Sequence, residues 1–140
     1  MQDNTLFGFL VGILVIAALL AVVLMLTKKA TPQLDVNKYR MKWMTIEQQL
    51  SRDDLSRSAM AVLNADKLLD QALRERGVKG QTMGERMKTA KDTWSNANAV
   101  WNAHKLRNQI AHETDAHVTY EDARRALGGF KQALKDVGAI

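Results

Sequence analysis

Leu6-Phe-Gly-Phe-Leu-Val-Gly-Ile-Leu-Val-Ile-Ala-Ala-Leu-Leu-Ala-Val-Val-Leu-Met-Leu26 is a run of 21 residues without a charge. At the helical rise it spans about 31 Å, the thickness of a bilayer's hydrocarbon core. Lipid offers no partner for a free N–H or C=O, so a single crossing segment must be a helix. A cleaved signal peptide needs a basic start, a shorter apolar core and a small-x-small exit. Met1-Gln2-Asp3-Asn4-Thr5 is not basic, and Leu24-Met25-Leu26-Thr27-Lys28-Lys29 lacks that exit. The expectation is a retained transmembrane anchor over residues 1–27.

Charge flanking the run is one-sided. Only Asp3 precedes it, whereas Lys28, Lys29, Lys38, Arg40 and Lys42 follow it against a single Asp35. The positive-inside rule then predicts a single-pass protein of the cell (inner) membrane, with the N-terminus outside and residues 28–140 in the cytoplasm. The net charge of +5 divides unevenly. Residues 28–43 hold five basic and one acidic side chain; residues 44–140 hold fifteen and thirteen. The excess sits beside the membrane, where anionic lipid favours each Lys or Arg by about 1 kcal/mol. Membrane lipid, rather than nucleic acid, is the partner this charge suits. The absence of cysteine excludes a disulfide framework and agrees with a reducing compartment.

Beyond a basic linker, residues 28–36, with the only proline, Pro32, every periodic stretch is helical. Asn37 offers a cap for Lys38–Leu50, where Tyr39, Trp43, Ile46 and Leu50 share one stripe. Tyr39 and Trp43 suit either a core or the lipid interface, where amphipathic aromatics are favoured. Leu55–Arg76 carries apolar residues at 55, 59, 62, 63, 69, 72 and 73, and Gly77 follows as a stop. Thr82-Met83-Gly84-Glu85 reads as a capping box opening a short helix to Ala90. Trp94–Asn98 reads as a connection with an anchoring tryptophan, and a helix then runs from Ala99 to His112. After a loop, Thr119 and Asp122 cap a last helix with Tyr120, Ala123, Leu127, Phe130, Leu134 and Val137 on a heptad seam. Gly128-Gly129 in that seam predicts a close backbone neighbour. The fold class is therefore all-α: an anchor helix and a bundle of about five helices over residues 37–140, large enough to bury its own core.

One stretch of the bundle bears on chemistry: Trp101-Asn102-Ala103-His104-Lys105-Leu106-Arg107-Asn108-Gln109-Ile110-Ala111-His112-Glu113. Arg107-Asn108-x-x-x-His112 resembles the signature of HEPN domains (higher eukaryotes and prokaryotes nucleotide-binding), in which an arginine, often followed by a polar residue, precedes a histidine by four to six residues. The resemblance covers residues 50–140 and extends to Gly77–Met87 and Tyr120–Ile140. It implies an up-down helical bundle and a homodimer. In HEPN ribonucleases two Arg/His sets meet at one RNA phosphate; by this resemblance His112 is the acid/base, Arg107 the phosphate clamp and Asn108 the positioning residue. Histidine titrates near neutrality, and arginine gives a fixed fork for phosphate oxygens.

Helix geometry favours a second reading. Residues five apart project about 140° from each other, so Arg107 and His112 do not share a small site on an intact helix. Arg107 can instead pair with Glu113 or Asp66, and His112 can meet the free carbonyls at the helix end. Many HEPN-like domains are non-catalytic binding or dimerisation units, and that role is preferred: a membrane-tethered binding or assembly domain at the cytoplasmic face, with a metal-independent endoribonuclease as the alternative. His104 could join the Asn108 surface. His104, His112, Glu113, Asp115 and His117 show no recognised metal-ligand spacing, so no metal is expected, and no cofactor motif is present. Gly8-x-x-x-Gly12 matches a helix-dimer motif as well as it matches ordinary small residues of a span.

Overall fold

The computed structural model describes residues 2–27, 31–113 and 116–140, with backbone only for residues 2–5 and 27. Lys28, Lys29, Thr114 and Asp115 lie outside the described residues. The described chain is all helical. Helix α1, Gln2–Thr27, contains the apolar run and is the one described helix long and apolar enough to cross a bilayer. It belongs to a unit of its own, Met1–Thr31, and the rest, Pro32–Ile140, forms the bundle.

In the bundle, side-chain caps decide where helices begin. The Asp35 carboxylate, not Asn37, accepts from the Lys38 N–H at 3.0 Å and opens α2, Val36–Glu47. Tyr39, Trp43 and Ile46 of α2 are buried, so the two aromatics serve the core. Asp54 accepts from the Arg57 N–H at 3.1 Å and opens α3, Leu55–Glu75. This helix ends in a Schellman turn: Gly77, at φ +76°, bonds to the Arg74 carbonyl and Val78 to that of Leu73. Thr82 caps α4, Met83–Thr89, although Glu85 returns its bond to the Gln81 N–H rather than to the cap residue.

A 3-10 turn, Lys91–Thr93, leads to buried Trp94, whose indole N–H donates to the Met87 carbonyl at 3.1 Å. The tryptophan thus anchors the connection as expected. Asn96 then caps α5, Ala97–His112, two residues ahead of the expected start. A full capping box of Thr119 and Asp122 opens α6, Tyr120–Asp136.

Helix α3 is the hub, packed by α2, α4, α5 and α6, and α5 and α6 pack on each other. From the α6 seam Ala123, Leu127, Phe130, Leu134 and Val137 are buried, while Tyr120 is only half-buried. Of the two glycines, only Gly129 makes the close approach: a Cβ there would lie 2.7 Å from the Ala99 carbonyl oxygen of α5. Gly128 faces open space. The neighbour is an intrachain helix, so the close approach joins α6 to α5.

Candidate functional site

The face of α3 turned to α5 reads Val62, Asp66, Leu69 and Leu73, a stripe at helical spacing with one carboxylate set into it. Asp66 is 4% exposed. Burying a carboxylate without partners is prohibitively costly, and α5 supplies those partners. His104 Nδ1 lies 2.7 Å from Asp66 Oδ1. Arg107 Nε lies 3.2 Å from Asp66 Oδ2, close enough for an ion pair though not aligned as a hydrogen bond.

Asn108 closes the circuit. Its Oδ1 accepts from Arg107 Nη1 at 3.0 Å, and its Nδ2 stands 3.3 Å from His104 Nε2. A carboxylate oxygen accepts, so Nδ1 of His104 carries the proton towards Asp66, and Nε2 is left to accept from Asn108. The four side chains form a closed ring: Asp66, His104, Asn108, Arg107 and back to Asp66. Three of its contacts are hydrogen bonds and one, Arg107 to Asp66, is an ion pair. Trp101 meets the His104 ring edge-on, with centroids 6.2 Å apart, and further restrains it.

The ring lines a polar cleft of about 720 Å³ between α3, the start of α4 and α5. Asp70, Arg86, Lys67, Gln81 and Thr82 line it too. Arg86 is itself buried, with Nε 2.7 Å from Asp70 Oδ1, and it also donates to the Gly80 carbonyl. Asp70 thereby ties the Gly77–Thr82 turn to α3. Neither Asp70 nor Arg86 stood out in the sequence, although Asp66 sits among the apolar positions of the α3 stripe, with Asp70 one turn on, which was a signal of buried partners.

The structure separates the residues of the suggested motif. Arg107 and Asn108 line the cleft beside His104; His112 does not. His112 is exposed in the last turn of α5, and among the described residues its ring caps no carbonyl and makes no ion pair. Of the two carboxylates suggested for Arg107, Asp66 is the partner. No group of three or more potential metal ligands clusters among the described residues. The cleft can therefore hold a polar molecule against a fixed hydrogen-bonding wall, but its two acidic groups, Asp66 and Asp70, are already matched to cations. Compared with protein families, curated proteins and solved structures, the chain has no match.

Proposed function

We propose that the chain is a membrane-tethered, HEPN-like binding or assembly module on the cytoplasmic face, with the cleft between α3, α4 and α5 as its working surface. The observation that carries this reading is the closed ring around Asp66. Arg107 and Asn108 are engaged within their own bundle, and His112 stands apart from them on the exposed end of α5. A ribonuclease needs arginine free to take phosphate charge and histidine within reach of the same phosphate. Here the arginine neutralises a buried aspartate instead.

An RNA-cleavage assay of the full chain in nanodiscs, with chelator present, tests the proposal. No cleavage above a no-protein control is expected, and Arg107→Ala lowers the melting temperature. Cleavage by the wild type that disappears in a normally stable His112→Ala variant would establish the endoribonuclease instead. The homodimer implied by the resemblance is checked on the same sample by particle mass.

A further inference from the structure

Helix α2 has two opposed faces. Tyr39, Trp43 and Ile46 are buried in the bundle, while Met41 and Met44 on the far side are 71% and 59% exposed. At 100° per residue Met41 lies about opposite the centre of the buried stripe, with Met44, Asn37 and Gln48 beside it. Arg40 borders this face on one edge, and its side chain makes no hydrogen bond or ion pair among the described residues. On the other edge Lys38 and Lys42 reach Glu75 and Gln71, at 3.5 and 3.0 Å.

We propose that this outer face of α2 docks on the anionic headgroup layer of the membrane that α1 crosses. Met41 and Met44 enter the boundary with the acyl chains, and Arg40 meets lipid phosphates, while Lys38 and Lys42 stay with Glu75 and Gln71 at the other edge. The proposal rests on α1 being a retained span. Chain length supports it. Residues 28–35 are all that join α1 to α2, so α2 begins within about 29 Å of the point where the chain leaves the bilayer. Such a tether makes docking effectively intramolecular, so weak contacts suffice.

Charge supports it as well. From Lys38 to Lys42 there are three basic residues and no acidic one. A pair of exposed apolar side chains flanked by cations is the pattern of a helix lying in the interface plane. Unbranched thioether side chains adapt to a fluid boundary. A second copy of α2 would instead oppose like charges across the contact.

The chain has no cysteine, so one introduced thiol reports one place. Met44→Cys and, as a control on the exposed side of α4, Thr89→Cys are labelled with an environment-sensitive dye in the full chain. Each is reconstituted into vesicles of phosphatidylcholine with phosphatidylglycerol, and into phosphatidylcholine alone. In the anionic vesicles a lipid-borne nitroxide should quench the dye at position 44 and leave that at 89 bright. Adding Arg40→Gln should lower the docked-to-free ratio about fivefold, and the neutral vesicles should weaken quenching further.

Equal quenching at 44 and 89 in the anionic vesicles overturns the docking. Protection of position 44 from aqueous iodide that grows with protein concentration, without lipid quenching, overturns it in favour of a second copy. Carbonate extraction distinguishes the two levels of failure. If the chain resists extraction while position 44 stays unquenched, docking alone falls; if carbonate strips it from the vesicles, the anchor reading falls too.

Discussion

Asp66 sets the terms at the scale of single residues. Its carboxylate is buried against His104 and Arg107, and deleting one member of a buried charged network costs more than the network contributes. Asp66→Ala should therefore destabilise the bundle by about 3–5 kcal/mol. Arg107→Ala should cost about 1–3 kcal/mol, because its side chain is 35% exposed and water recovers part of the loss. His112→Ala should stay within about 0.5 kcal/mol. Urea melts followed by tryptophan fluorescence give all three, and a His112 loss equal to that of Arg107 would contradict the separation seen here. A second residue-scale effect depends on pH. The Thr119 hydroxyl and backbone N–H donate to Asp122 and hold its carboxyl below the usual carboxylate range. The folded state binds that proton less readily than the unfolded state, so the contribution is complete above about pH 4 and is lost as pH falls further. Asp122→Asn should flatten that part of the acid limb and leave the part owed to Glu47 and Glu75, which are also held low. The candidate site was half legible in the sequence. Asp66 was available as a partner for Arg107, and the four-residue spacing put His104 on the Asn108 surface, but a helical sequence cannot show that His104 also reaches Asp66, because that depends on how α5 lies across α3.

Helix α6 tests packing at the next scale. Leu127→Ala or Phe130→Ala should cost about 2–5 kcal/mol, since both are buried on the seam. The adjacent glycines should part ways. Gly129→Ala drives a methyl to 2.7 Å from the Ala99 carbonyl oxygen, which is backbone and cannot turn aside, so α5 and α6 must separate and stability falls. Gly128→Ala meets nothing within 4 Å and should raise stability by up to about 1 kcal/mol through helix propensity. Thermal melts of the two variants should move in opposite directions; a shared direction would mean α5 and α6 do not touch at Gly129. Lys131 stands at the edge of this seam, four residues after Leu127 and three before Leu134, and its ammonium lies 2.6 Å from Glu47 and 5.9 Å from the Trp43 ring centroid. The heptad pattern shows what α6 buries but not that α2 reaches round to its edge. Caps and apolar stripes made the helices themselves readable, because both are local: Gly77, Thr82 and Thr119 act within one turn. The α2 and α5 starts lie about two residues ahead of the expected ones, because Asp35 caps in place of Asn37 and Asn96 caps ahead of Ala99.

At the scale of the whole molecule, a basic stretch of sequence joins one long apolar helix to a nearly charge-balanced bundle, and the positive-inside rule predicts an orientation from this asymmetry. Moving Lys28, Lys29, Lys38, Arg40 and Lys42 across the bilayer opposes both the positive-inside bias and the pull of anionic lipid. By contrast, the N-terminal flank carries only Asp3, so nothing strong resists its export. We therefore expect the bundle in the cytosol and position 3 outside. Because the chain lacks cysteine, Asp3→Cys and Lys88→Cys each give a single reactive thiol, the second on the exposed side of α4. A membrane-impermeant maleimide should label Asp3→Cys in intact cells and reach Lys88→Cys only after permeabilisation. The reverse pattern would place the bundle outside the cytosol and remove the docking proposed for α2, since anionic lipid is concentrated on the cytoplasmic leaflet. Replacing Lys28 and Lys29 by Gln while adding two Lys after Met1 should shift the labelling towards that reverse pattern. That shift is the stronger check, because only an orientation set by flanking charge would follow the charges when they are moved.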